Sequence, residues 1–389
     1  MAAPRSTGST RSRAAARRRL SARVPEQPRV GLVLGAGGVL GGAWLTGALH
    51  AICTETGWDP GSAEHIVGTS AGSMVGALLA CGVPPWFMVA YSGGERPPLG
   101  EEAGFPLEPD RTVGGTRYRL HRGLPALGPG SWRLAASSLA RPYRHSPGAL
   151  LSAWMPRGLL STEPLKESIR RVCPQGWAPH PNFWAMALDY GSGQLAAFGA
   201  KGVQDADLAD AVAASCAVPG FFRPVEIGGR HFIDGGVHSV SNADVLADRD
   251  LDLVVVLNPM SSLHAGAPRT LGERAAYVIR QRAGRRLGSE AKRLRAAGIE
   301  TILIQPTVHD LDAMGANLMD RRRRHDVMKT ATETVRAHLR ETPIGERLGE
   351  LPQGLSELVR RPPGALRRVP DFAGLAAQRF ERPVQKRSA

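Results

Sequence analysis

Four short apolar runs limit what this chain can fold into. Residues 29–34, 65–68, 253–257 and 301–304 are too short for helices. The first and the last two are nearly continuous in aliphatic and β-branched residues, without the polar alternation of a strand that wets one face. Strands of that kind need cover on both faces, and the segments between them supply it. Residues 42–54 carry helical spacing through Trp44, Leu45, Leu49 and Ile52, and 71–81 is small and apolar until Pro84 stops it. Further helices are predicted at 161–171, 207–214, 271–297 and 320–340. Residues 183–189 and 194–198 flank Gly191-Ser192-Gly193 as a hairpin, and 230–233 reads as one more strand. Strand and helix alternating in this way predict one α/β sheet layered by helices.

The remaining composition sets the boundaries. The chain has 389 residues, 42% of them hydrophobic, which excludes wholesale disorder, a coiled coil and a small disulfide-stapled module. Cys53, Cys81, Cys173 and Cys216 are scattered without C-x-x-C spacing, and read as buried thiols. From residue 91 to 156 the chain turns rich in Pro, Gly and Arg with weak periodicity, as an inserted cap or lid would. Residues 1–29 form a disordered basic tail, 30–340 one folded domain, and 341–389 a second tail rich in Pro and Arg. The net charge of +14 is carried by the margins: residues 1–29 hold +7, 271–298 hold +6 and 321–389 hold +8, which leaves −7 for the rest. The N-terminal segment lacks the apolar core of a secretory signal, and the apolar stretch at 30–52 is too broken by glycine to span a membrane. An organelle transit peptide shares this Arg- and Ser-rich composition and stays open as an alternative.

Three motifs carry chemistry. Gly68-Thr69-Ser70-Ala71-Gly72 is a G-x-S-x-G between a predicted strand and a predicted helix. Small flanking residues, Gly68 and Gly72 above all, permit a tight turn that lifts the Ser70 hydroxyl to the positive end of the following helix. The bland alternative is a Gly-Ser turn at a helix cap. Before it, Gly35-Ala36-Gly37-Gly38-Val39-Leu40-Gly41-Gly42 lets backbone NH groups converge on an oxyanion, where such donors contribute about 3 to 4 kcal/mol each to a transition state. A dinucleotide fingerprint would need a small residue where Leu40 stands, and a phosphate-binding Walker loop needs a Lys that is absent. After it, Phe232-Ile233-Asp234-Gly235-Gly236 puts an aspartate at a strand end, with Gly235 and Gly236 forming the turn.

In this order the three motifs resemble the patatin-like phospholipases, and residues 213–225, with their small residues, Pro219 and the Phe222-Arg223-Pro224-Val225 run, resemble the approach to the family's aspartate. The likeness runs from about residue 30 to 306, apart from the cap. It implies a three-layer α/β/α fold around a central, mostly parallel sheet with an inserted cap. It also implies a serine acyl hydrolase for lipid esters, with Ser70 and Asp234 as a catalytic dyad, the NH groups of Gly37, Gly38 and Val39 as oxyanion hole, and neither cofactor nor metal. One departure stands out: the family's usual Arg or Lys in the glycine loop is Gly41 here, and its third glycine is Val39. That weakens the case for a phospholipid head group more than the case for ester hydrolysis.

Two alternatives remain at this level. One is a Ser-His-Asp triad using His309 or His325, in the chain order of an α/β-hydrolase. The other is a non-catalytic lipid-binding protein. A nucleic-acid partner is not expected, because aromatic residues seldom interleave with the basic runs. The chain is expected in the cytoplasm, with its basic flanks touching anionic membrane surfaces.

Overall fold

The computed structural model describes residues 27–92, 119–120, 128–174, 176–262, 271–361 and 374. All but the last three residues of the expected N-terminal tail lie outside that set, as do 93–118 and 121–127 of the expected cap. In chain order the elements begin with β1 (Val30–Leu34), α1 (Gly38–Thr56), β2 (His65–Thr69), α2 (Ala71–Ala80) and α3 (Pro85–Ser92). The described part of the cap contributes α4 (Trp132–Ala140) and α5 (Pro147–Trp154). Then follow α6 (Glu163–Arg170), β3 (Phe183–Asp189), β4 (Leu195–Phe198), α7 (Leu208–Ser215), β5 (Val225–Ile227) and β6 (Arg230–Asp234). The last are β7 (Leu253–Leu257), α8 (Leu271–Ala296), β8 (Glu300–Ile304), α9 (Val308–Met314), α10 (Arg324–Glu341), α11 (Pro343–Gly349) and α12 (Ser356–Val359).

The strands form one mixed sheet, mostly parallel, in the order β5-β6-β3-β2-β1-β7-β8, with β4 also paired to β3. Strand β1 lies inside the sheet, in parallel register with β2 on one side and β7 on the other. Period-two alternation sends side chains to opposite layers. Leu32, Leu34, Ile66 and Val255 pack with α1, α2, α7 and α10, whereas Val33, Val67, Met186 and Val254 pack with Leu287 and Leu294 of α8. The three-layer arrangement implied by the sequence is therefore the observed one.

The register around β3 decides where the chemistry sits. Met186 pairs with Thr69 of β2 and with Ala197 of β4, and Ala187 pairs with Ala196 of β4 and Asp234 of β6. A residue in a sheet has only two edges, so β2 and β6 share the edge of β3 that β4 leaves free. Strand β2 runs parallel to β3 and β6 antiparallel, so their C-terminal ends meet head-on at neighbouring residues of β3. The cap helices pack beside this junction: Leu134, Ala135, Ala149 and Ala153 bury against Leu188, Tyr190 and Ile233.

The folded body continues past residue 340, contrary to the expected tail at 341–389. Helices α11 and α12 and the connection between them bury Leu348, Leu351, Leu358 and Val359. The Trp86 indole donates to the Glu357 carbonyl at 2.8 Å, and Gly354 donates to the Gly57 carbonyl at 3.0 Å. The Pro, Gly and Arg content of this stretch reads as loop because its apolar residues are too sparse for a helical stripe. They are buried by contact with distant elements. Burying four aliphatic side chains contributes roughly 1.5 to 3 kcal/mol each. A chain ending at Arg340 is expected to lose more than about 4 kcal/mol of stability in urea unfolding, and an unchanged midpoint would contradict this packing.

Candidate active site

Ser70 stands between β2 and α2 with φ 53° and ψ −120°. It is one of two non-glycine residues of positive φ among the described ones, and such strain persists only where the surroundings enforce it. They do so by close approach. A Cβ on Gly68 would stand 2.4 Å from the Ser73 Cα, and one on Gly72 would stand 1.9 Å from the Leu34 carbonyl oxygen. Neither position of the motif admits a side chain. The Ser70 NH donates to the Ser215 hydroxyl at 2.9 Å, which in turn donates to the Met186 carbonyl at 2.6 Å. The Ser70 carbonyl accepts from the Ser73 NH at 2.8 Å and from its hydroxyl at 2.7 Å. The turn is thus pinned to β3 on one side and to α2 on the other.

The Ser70 hydroxyl lies against the carboxylate of Asp234 and favours its charged form. Both residues are buried, with 6% and 4% of their surface exposed. Burial pushes Asp234 up to about 6, against the opposing pull of the Ser70 hydroxyl and of the Gly236 NH, which donates to it at 2.7 Å. Gly235 is forced by the approach of the Met186 carbonyl, 2.4 Å from where its Cβ would be. Beside the pair lies Cys216, whose thiol reaches Ser70 and Ser73 and is pushed up to about 12 by burial and by the charge of Asp234. At neutral pH it is a neutral neighbour and not a nucleophile. No histidine among the described residues hydrogen-bonds to Ser70 or Asp234. His309 is exposed on α9, and His325 is in the first turn of α10.

The glycine loop crosses the same junction. Ala36 donates to the Val240 carbonyl at 2.7 Å and Leu40 to the Leu318 carbonyl at 3.0 Å. Between them the NH groups of Gly37, Gly38 and Val39 make no hydrogen bond among the described residues. These are the three donors singled out from the sequence, and they open α1, where intrahelical acceptors are missing. A Cβ on Gly236 would lie 3.5 Å from the Ala36 Cβ, which places the loop against the Asp234 turn. Gly41 faces Pro259, whose ring would be 3.2 Å from an added Cβ, so a longer side chain there would have to push the proline aside.

Sequence reasoning missed the group that ties these parts together. Asn242, fully buried and left-handed at φ 50° and ψ 32°, donates from Nδ2 to the Thr69 hydroxyl at 3.0 Å and the Ser239 carbonyl at 2.7 Å. The Gly235 carbonyl accepts from the same nitrogen at 3.4 Å. One amide therefore bridges the residue before Ser70 and the residue after Asp234. Its loop is anchored by Glu290 of α8, buried and accepting from the hydroxyls of Ser239 and Ser241 at 2.6 Å each, the Ala243 NH at 3.0 Å and Arg286 at 2.9 Å. The preceding residues, Ser239-Val240-Ser241, look like ordinary loop, and no motif marks Asn242. Only the fold reveals its partners.

The family model described as Patatin-like phospholipase matches residues 32–247, more than half of the chain. No curated protein matches the chain.

The position of Asp234 generates a stability prediction. Its folded-state pKa of about 6 lies above the ordinary 3.8, so the folded state binds the proton more tightly than the unfolded one. Stability therefore falls as pH rises through that window, by about 3 kcal/mol once the group is ionised. Asp234→Asn is expected to unfold at higher urea than the wild type at pH 8, by roughly 1 to 3 kcal/mol, with the gap closing below pH 4. A variant less stable at every pH would contradict the burial cost.

Proposed function

Because the chain belongs to the patatin-like phospholipase family, a group of lipid acyl hydrolases, we propose that it cleaves lipid ester bonds through Ser70 and Asp234 and an acyl-enzyme. The observation that carries this reading is the Ser70 hydroxyl set against a buried aspartate of raised pKa, at the junction where two strand ends meet. An aspartate of ordinary acidity is a weak base; one near 6 is matched to proton transfer close to neutrality.

In the proposed cycle Asp234 takes the hydroxyl proton as Ser70 Oγ bonds to the acyl carbon. The carbonyl oxygen takes the displaced electron pair and accepts hydrogen bonds from the NH groups of Gly37, Gly38 and Val39. Collapse breaks the ester bond, and Asp234 gives its proton to the departing alkoxide. Asp234 then accepts a proton from water as the water oxygen attacks the acyl-enzyme. The fatty acid leaves and Ser70 regains its hydroxyl proton. The donors are fixed before the substrate arrives, so they need no reorganisation as charge develops.

Asn242 enters as a positioning residue. It touches no reacting atom in this scheme but holds both arms of the dyad, and a displacement of about 1 Å is enough to cost on the order of 100-fold in rate. The Ser-His-Asp alternative has no histidine within hydrogen-bond distance of Ser70 among the described residues, and no observation favours it. Gly41 leaves the loop without a cation for a head-group phosphate, so neutral and short-chain esters are included in the proposed substrate class beside phospholipids.

Wild type and Ser70→Ala assayed in parallel on phospholipid, lysophospholipid, triacylglycerol and p-nitrophenyl esters test the reading. At least one ester is expected to be hydrolysed by the wild type, with loss of 1,000-fold or more on the order known for removed nucleophiles, and calcium chelation is expected to change nothing. Activity retained by Ser70→Ala would contradict it. On the active substrate, kcat/KM is expected to fall about tenfold per pH unit below about 6 as Asp234 takes up its proton; a flat profile from pH 4.5 to 7.5 would remove Asp234 from the base role. Asn242→Ala is expected to lower kcat by about 10- to 100-fold with KM within twofold. Equal loss from Asn242→Ala and Glu290→Gln in unfolding stability alone, with kcat intact, would leave the amide a purely structural part.

A further inference from the structure

We propose that the outer face of the cap helices α4 and α5 is a docking surface for an anionic lipid bilayer, and that it sets the mouth of the dyad against the membrane. The two helices are apolar on both sides. Their inner residues, Leu134, Ala135, Ala149 and Ala153, bury against the sheet. Their outer residues remain in solvent: Trp132 is 69% exposed, Leu139 73%, Leu151 69% and Trp154 48%, and Tyr143 in the turn between them is 81% exposed. Trp132 and Leu139 are seven residues apart on α4, and Leu151 and Trp154 three apart on α5, so each pair shares a helix face. The indole of Trp154 donates to the Ser138 hydroxyl at 3.2 Å, and Ser137 bonds to His145 at 2.8 Å, which holds the helices and their turn as one plate.

The charges select the partner. Residues 128–162 contain no Asp or Glu and four arginines. Arg133, Arg141 and Arg144 are exposed, and none has a carboxylate partner among the described residues. Several arginines elsewhere are engaged within the protein. Arg286 and Arg293 of α8 pair with Glu290 and Asp244, and Arg280 is buried against the Pro259 carbonyl. Arg336 and Arg340 pair with Glu55, and Arg347 with Glu300 and Glu350. The cap thus adds exposed cations to those expected to act from the basic flanks.

Tryptophan and tyrosine with leucine between them, ringed by arginine, are the composition of a membrane–water interface: the rings sit at head-group depth, the aliphatic chains dip below, and arginine reaches the phosphates. A protein partner would be expected to offer acidic residues to such a face and to bury it dry, and a nucleic acid would leave the leucines unused. The face lies next to the chemistry, because α5 packs on the turn that follows Asp234: a Cβ on Gly148 would stand 2.0 Å from the Val237 carbonyl oxygen. The purpose of the docking rests on the lipid acyl hydrolase reading, whereas the docking itself does not.

The test uses the full chain and vesicles of phosphatidylcholine alone or with one-third phosphatidylglycerol, read by co-sedimentation and by tryptophan emission. Wild type is expected to bind the anionic vesicles at least tenfold more tightly and to shift its emission to the blue. The triple variant Trp132→Ser, Leu139→Ser, Tyr143→Ser is expected to lose tenfold or more of that binding. Arg133→Ser, Arg141→Ser and Arg144→Ser are expected to lose about fivefold each and to flatten the dependence on phosphatidylglycerol. Turnover of a soluble short-chain p-nitrophenyl ester is expected to stay within twofold in all of them, which also reports that they fold. Ser70→Ala is expected to bind like wild type, so a failed hydrolase reading and a failed docking surface give different results. Wild-type binding unchanged in the triple variant, or indifferent to anionic lipid, would overturn the proposal. So would a labelled oligonucleotide captured through the three arginines, or a dimer dissociated by the triple variant, in the absence of vesicle binding.

Discussion

The approach of the Ser70 hydroxyl to Asp234 is the interaction on which the site depends, and it exists because β2 and β6 end head-on along one edge of β3. Neither strand could place its residue alone. The parallel half of the sheet delivers the serine at a strand C-terminus, where the following helix points its positive end. The antiparallel hairpin β5–β6 approaches from the opposite direction and delivers the aspartate at the same height. The junction is dry, which raises the aspartate toward neutrality and strengthens each fixed dipole near it. It also imposes the strain seen at Ser70, which the close contacts at Gly68 and Gly72 enforce.

A second layer keeps the junction in register. The loop after Asp234 touches all three parts of the site: through Asn242 to Thr69 and Gly235, and through the Val240 carbonyl to Ala36. Glu290, on a different element, satisfies four donors of that loop's surroundings. A buried carboxylate is costly unless its lone pairs are used, and here they hold the loop that ties Thr69 to Gly235. The long basic helix α8 therefore also works inward, through one acidic residue.

Much of this was legible in the sequence, and the reasons differ by part. The central strands could be read because full burial makes them continuous in apolar residues, and the serine turn because its glycines are demanded by backbone contact. Strand β5 escaped notice because three residues, Val225 to Ile227, carry too short a pattern, and with it went the hairpin geometry that brings Asp234 round. Helices α11 and α12 escaped because their buried leucines are spaced by prolines, glycines and arginines that look like tail. Asn242 escaped because its role is made of partners at positions 69, 235 and 239, and the first of these joins it only when strands from distant parts of the chain meet. The net charge of +14 is a related case: counted along the chain it lies on the flanks, and only the fold shows that Arg133, Arg141 and Arg144 of the cap are exposed as well, without a carboxylate partner among the described residues.

The central claim is that Ser70 is a nucleophile activated by Asp234. The most direct measurement is reaction of the folded protein with a fluorophosphonate, followed by mass spectrometry of the peptides. The account predicts a single adduct on the peptide that carries Ser70, absent in Ser70→Ala and strongly slowed in Asp234→Asn. A folded protein that forms no adduct, or forms it on another residue, would contradict it.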